Sequence, residues 1–296
     1  MSPFSVFDAT ILPYPERPGT TVVAEFALPT GSFKDRGAAA VVAGALSSGA
    51  RAVTLDSSGN AGLAVAAAAA RAGLVSRIRV PASISPAKAD LLRSTGAVLE
   101  THPSRADAVR ACLEDSDSYD ASHVRNPLFR EGVATLAAAW LEKASIPATI
   151  YLPVGNGSLL LGLWAGLRAL HRAGRIAVLP RLIAVQSERC APIALPDSPG
   201  DGKTIADGCA ILEPPAGEEI RRAIAESGGK AIAVAEEEIR RSWTAAWRGG
   251  LPIEPTSALA FAGLARSDDS GTAAVIATGS GLKCHPGSPS SLEKGP

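Results

Sequence analysis

Short apolar runs alternate with longer alanine-rich runs along the whole chain. Residues 22–26, 52–55, 77–80, 97–100, 149–152, 182–185, 231–234 and 273–277 are short, mainly apolar and bounded by turn formers or charges. Such runs predict strands buried on both faces, as in a parallel sheet. Residues 34–46, 61–72, 86–94, 104–113, 128–143, 158–172, 217–227, 236–247 and 257–265 read as helices. Strand–helix alternation of this kind predicts an α/β fold with a mainly parallel sheet flanked by helices. Alanine suits it, because a small side chain lets a helix lie close to a sheet at little entropic cost. The polar, non-periodic stretch 116–126 divides the chain into two such domains. A smaller α/β domain is expected over 34–126 and a larger one over 1–33 with 127–283. The Pro/Ser/Gly-rich stretch 284–296 reads as a flexible tail.

Composition narrows the class of partner. Lys+Arg and Asp+Glu are both 29, so the 296-residue chain is formally neutral. That balance argues against nucleic acid or a membrane surface as a partner chosen by bulk charge. The longest apolar stretch is mostly alanine and falls far short of a membrane span. The N-terminus carries no basic region followed by an apolar one, so a cytoplasmic protein is expected. Cys112, Cys190, Cys209 and Cys284 form no C-x-x-C, which predicts neither a zinc site nor a disulfide framework. His102, His123, His171 and His285 do not cluster in sequence; His123 alone is a candidate for a substrate pocket.

Five places carry residues with chemistry, three of them strand-to-helix junctions. In Pro29-Thr30-Gly31-Ser32-Phe33-Lys34-Asp35-Arg36-Gly37 a lysine sits in the first turn of a helix. The positive end of the helix dipole disfavours its charged form there, and a neutral amine is the species that forms a Schiff base. Ser57-Ser58-Gly59-Asn60 opens the next alanine helix and suits a carboxylate, or simply a helix cap. Gly155-Asn156-Gly157-Ser158 opens a third helix and suits a phosphate. It is not a dinucleotide fingerprint: Gly162 falls two positions late, and the next strand ends in Val185-Gln186 without an acid. Thr278-Gly279-Ser280-Gly281-Leu282-Lys283 follows the last strand, at the end where α/β sheets bind ligands. Glu254-Pro255-Thr256-Ser257 opens the last helix, as a cap or with Glu254 facing the ligand crevice.

The order of these motifs resembles the fold-type II pyridoxal-phosphate enzymes, from about Val22 to Lys283. Within that group it is most similar to threonine synthase and next to the serine/threonine dehydratases. The resemblance implies two α/β domains with the cofactor, pyridoxal 5'-phosphate, in the cleft between them, the larger domain binding it. It implies Lys34 as the catalytic and Schiff-base lysine and Asn60 on the cofactor's phenolic oxygen. Gly155, Asn156, Gly157 and Ser158 would cradle the cofactor phosphate, and Thr278 would meet the pyridine nitrogen. Ser57, Ser58, Gly59, Arg125 and Asn126 would face the substrate. A hydroxyl at the ring nitrogen, rather than a carboxylate, favours elimination and replacement over transamination. The implied activity is that of a carbon–oxygen lyase acting on a small amino-acid substrate, threonine synthase-like with O-phosphohomoserine as substrate. A serine/threonine ammonia-lyase or a β-replacement synthase is the alternative. A homodimer is usual for the family.

The substrate-phosphate segment departs from the threonine synthase pattern. There, Asn-Ser, then Asn-Pro, then Arg grip the phosphate of homoserine phosphate. Here Asn126-Pro127 matches, but His123 and Val124 replace Asn-Ser, and Phe129 stands at the Arg position with Arg130 one residue late. One residue on a helix turns a side chain by about 100°. Arg125 is the candidate replacement. Two readings from other classes complete the set: a non-catalytic relative that binds the cofactor or an amino acid, and a dinucleotide enzyme, which would leave Lys34 without a role.

Overall fold

The computed structural model describes residues 7–268 and 270–283; the 284–296 stretch, with Cys284 and His285, lies outside the described residues. The strands are β1 (Ile11–Pro13), β2 (Thr20–Ala24), β3 (Ala52–Asp56), β4 (Val75–Pro81), β5 (Val98–His102), β6 (Tyr119–Asp120), β7 (Thr149–Pro153), β8 (Arg181–Ser187), β9 (Lys230–Val234) and β10 (Ala273–Ala277). The helices are α1 (Lys34–Ser47), α2 (Asn60–Arg71), α3 (Pro86–Arg93), α4 (Arg105–Glu114), α5 (Pro127–Leu141), α6 (Ser158–Arg172), α7 (Gly217–Glu226), α8 (Glu236–Arg248) and α9 (Pro255–Ala265). Every predicted strand and helix is present, with ends displaced by no more than two residues. The strands not anticipated are β1 and β6, which are too short to show a period.

The chain divides into two units. Of the described residues, the smaller comprises Phe7 and Leu28–Thr135; the larger comprises Asp8–Ala27 and 136–268 with 270–283, so the division falls within α5. The polar stretch 116–126 belongs to the smaller unit, where β6 adds to the sheet edge beside β3.

The smaller unit has a four-stranded parallel sheet in the order β5-β4-β3-β6. Its helices come close because they present small residues. A Cβ on Gly44 of α1 would lie 2.4 Å from Leu128 Cδ1. Beneath α4, Arg79 is buried and binds Thr54 Oγ1 (2.6 Å), Glu100 (2.9 Å) and Asp115 (2.8 Å). Burial pushes the Asp115 carboxyl up, but the Arg79 guanidinium, the Ser118 hydroxyl and the Asp117 N–H together outweigh it and hold the group below its ordinary value.

The larger unit has a six-stranded sheet in the order β1-β2-β10-β7-β8-β9, parallel except for β1. β10 is buried along its whole length, which is why it reads as the unbroken run AAVIA. α9 is buried from Thr256 to Leu264 and is correspondingly apolar all round. Trp243 and Trp247 of α8 both donate to the Ile253 carbonyl, at 2.7 and 2.8 Å, fixing the turn that leads into α9. Among the described residues no helix is long and apolar enough to cross a membrane, and no cluster of three metal-ligating side chains occurs.

Candidate functional site

In the smaller unit the lysine motif is folded by its own flanks. Lys34 is the first residue of α1, and Gly31 takes a positive φ of 76° in the turn before it. The buried Asp35 carboxylate accepts from the Thr30 N–H (2.8 Å) and the Thr30 hydroxyl (2.6 Å), tying the turn to the helix. Arg36, also buried, donates to the Phe7 carbonyl at 2.7 Å. Gly37 is required by packing, since a Cβ there would lie 2.3 Å from the Phe129 ring. Thus Thr30, Gly31, Asp35, Arg36 and Gly37 position the lysine. Its Nζ stands 4.7 Å from the Phe33 ring centroid and 5.6 Å from that of Phe129. The buried Ser32 hydroxyl has no hydrogen-bond partner.

Ser57, Ser58 and Gly59 form the loop after β3, and Asn60 is the first residue of α2. Gly62 lets the loop fold back, because a Cβ there would lie 2.1 Å from the Ser57 carbonyl oxygen. Asp56, at the end of β3, accepts from Arg125 Nη1 at 3.2 Å. This bond joins the loop to the segment before α5.

That segment is held mainly by charge. Arg125 places its guanidinium fork on Asp120, at 3.0 and 2.9 Å, in addition to Asp56. Burial works against its charge, but Asp120 and then Asp56 outweigh burial and raise its pKa. The Asn126 amide donates to the Asp120 carbonyl (2.7 Å), and its oxygen accepts from the Leu128 N–H (3.0 Å), capping α5. Phe129 is fully buried, and the His123 ring meets it edge-on with centroids 5.9 Å apart. Burial, then the positive charges of Lys34, Arg105 and Arg125, hold His123 well below its ordinary pKa, which favours the neutral imidazole. Its Nδ1 is buried and has no hydrogen-bond partner.

In the larger unit the loop after β7 is shaped by glycine. Gly157 caps α6 with φ 83° and ψ 0°, a left-handed conformation open to glycine. A Cβ there would lie 2.6 Å from Ile220 Cδ1, and one on Gly155 would lie 3.0 Å from Cys209 Cα. The first amides of α6 lack helical acceptors, as at any helix start. Gln186, buried at the end of β8, donates to the Val154 carbonyl (3.0 Å) and accepts from the N–H groups of Ile193 (2.9 Å) and Ala194 (3.1 Å). Beside Gly155, the Gly208 N–H donates to Thr256 Oγ1 at 3.2 Å. Thr278, buried just past β10, lies 3.0 Å from the Ser257 hydroxyl and donates to Glu254 at 3.3 Å. Ser257 Oγ also accepts from the Gly279 N–H at 3.0 Å.

Within the smaller unit, then, Lys34, Phe129, His123 and Arg125 form one neighbourhood, linked through Asp56 to the 57–60 loop. Within the larger unit the start of α9 connects Thr278 to the turn that covers Gly155. Sequence patterns pointed to Thr278 and Glu254 but not to Ser257 as the partner of Thr278 and Gly279, nor to Gln186 as the clamp on the glycine loop. The available signal for Gln186 was a polar residue at the end of an otherwise apolar strand.

A glycine-capped helix start suits a phosphate group, and a lysine flanked by two aromatic rings suits an aromatic aldehyde, so the residues present fit pyridoxal phosphate. Residues 14–279 match the family "Pyridoxal-phosphate dependent enzyme", and the chain belongs to it, with that family's cofactor and the fold-type II architecture. Among its relatives, the threonine synthase of Mycobacterium tuberculosis (strain ATCC 25618 / H37Rv) is 32% identical over 268 residues, covering 86% of this chain and 74% of the relative. That of Halalkalibacterium halodurans is 33% identical over 272 residues, covering 88% and 76%. Of solved structures, a threonine deaminase from T.th. superimposes with a TM-score of 0.74 at 25% identity, covering 88% of this chain and 87% of that one. An O-ureido-L-serine synthase gives 0.77 at 21% identity, covering 95% and 90%.

Proposed function

We propose that the chain is a carbon–oxygen lyase of this family, which removes or replaces an oxygen substituent on a small amino acid. The observation that carries this reading is the lysine that opens α1, held by the Thr30–Asp35 lock with its amine against Phe33 and Phe129. In the smaller unit we assign Lys34 to the covalent attachment of the cofactor, Asn60 to its phenolic oxygen, and the 57–59 loop to the substrate carboxylate. In the larger unit we assign 155–158 to the cofactor phosphate and Thr278 to the ring nitrogen. When bound, pyridoxal phosphate supplies the electron sink that lets bonds at the amino acid's α carbon break. Lys34 Nζ takes the proton from that carbon and returns it to the product. Thr278 brings a hydroxyl rather than a fixed negative charge, which favours elimination and replacement over transamination. The loops exclude water and fix the substrate in one orientation.

The threonine synthase relatives favour O-phosphohomoserine as substrate, and the threonine deaminase structure favours an unphosphorylated hydroxy amino acid. Two assays run side by side separate them: phosphate release with threonine formation from O-phosphohomoserine, and ammonia with a keto acid from serine or threonine. The class itself is tested by the visible absorbance of the cofactor-loaded protein. It is expected to survive desalting in the wild type and to be lost in Lys34→Ala. A wild type without that band, or a variant that keeps it, overturns the reading.

A further inference from the structure

The segment before α5 contains a buried polar group that the proposed chemistry does not use. His123 stands in the neighbourhood of Lys34, and their shared neighbour is the Phe129 ring. Its Nδ1 is buried and unpartnered, a costly arrangement unless something arrives to pair with it. Three positive charges act on His123, from Lys34, Arg105 and Arg125, and Lys34 is already assigned to the cofactor. The Arg125 fork is taken up by Asp120 and Asp56, two negative charges against its one. Phe129 is apolar and fully buried. A neutral imidazole instead matches a hydroxyl, because one of its ring nitrogens donates and the other accepts.

We infer that His123 is the residue that selects the substrate's side chain, pairing its buried Nδ1 with an uncharged hydroxyl and leaving a phosphorylated side chain unmatched. The inference rests on the proposed lyase reading and narrows it. It assigns His123 to specificity, with the α-carbon chemistry left to Lys34. A site built to pair with a hydroxyl rejects the analogue that lacks it, since the site's own polar group is then stranded.

The test uses the cofactor-loaded protein, with binding read from the cofactor's absorbance by stopped flow before turnover. The ligands are L-serine, L-alanine and O-phospho-L-homoserine. The wild type is expected to bind serine about tenfold tighter than alanine, the value of one hydrogen bond to a buried group. O-phosphohomoserine is expected to bind no tighter than alanine. In His123→Phe the serine-to-alanine ratio should fall to about twofold or less, with the cofactor band intact. His123→Ala, which leaves space rather than bulk, should collapse the ratio in the same way and decides the matter if the phenylalanine variant does not fold. An unchanged ratio in a folded variant, a wild-type ratio near one, or tighter binding of O-phosphohomoserine than of serine overturns the inference. The lyase reading fails separately, by the absence of a Lys34-dependent band.

Discussion

The loop after β7 takes its shape from the main chain and neutral side chains, whereas the segment before α5 takes its shape chiefly from charged ones. In the first, Gly157 supplies a left-handed turn and Gln186 makes three uncharged bonds around it. In the second, Arg125 spans Asp120 and Asp56, and nearby Arg79 spans Glu100 and Asp115. The difference is one of freedom. A main-chain cradle tolerates few substitutions at the glycine and is indifferent to pH. A side-chain lattice admits His123, Val124 and Phe129 in place of another set, and it answers to protons. The proposed phosphate cradle is therefore specified more rigidly than the proposed substrate segment.

The largest effect expected from testing this contrast is at Gly157. A valine there must adopt φ near 83° and place its Cβ within 2.6 Å of Ile220 Cδ1. Left-handed strain and overpacking together are expected to cost about 4 kcal/mol. Thermal melting should fall accordingly, and cofactor retention on desalting should be lost. If Gly157→Val melts like the wild type, the cradle is not set by its main chain. A smaller loss is expected at Gln186. Alanine there strands the Val154 carbonyl and the N–H groups of Ile193 and Ala194 in a buried place, at about 2 kcal/mol. Urea unfolding would measure it, and because the bonds are neutral the loss should be the same at pH 5 and pH 8.

The same contrast explains what could be read from the chain alone. Lys34 and the 155–158 loop were legible because a helix start and a left-handed glycine are local events, decided within a few residues. The strands were legible because burial on both faces writes itself as an apolar run, as in β10. The partners of Arg125 were not legible: Asp56 lies 69 positions away and meets it only through the fold. β6 was missed for a related reason, since its two residues form a strand only by pairing with Val53 and Thr54 of β3. Phe129 at the arginine position was visible as a letter. That its ring packs on Gly37 and neighbours both Lys34 and His123 became visible only in three dimensions.

The smallest effect concerns acid. Asp115, whose carboxyl Arg79, Ser118 and the Asp117 N–H together hold below its ordinary value against the pull of burial, stabilises the folded smaller unit when ionised. A carboxylate with a depressed folded pKa contributes fully above its unfolded value and loses that contribution as pH falls through the folded one. The stability of the smaller unit should thus decline below about pH 4, as this carboxylate protonates. The larger unit also has a carboxyl held low, Asp201 at about 2 beside Arg189. That pair is exposed at the surface and screened by solvent, so its protonation should have little effect. Hydrogen exchange followed amide by amide would separate the two. Between pH 6 and pH 3, after correction for the intrinsic rate, protection is expected to fall in β3, β4 and β5 and to hold in β7, β8 and β10. Asp115→Asn should lower protection in the smaller sheet at pH 6 and remove most of its pH dependence. Equal losses in both sheets would mean that charge is not what distinguishes the two constructions.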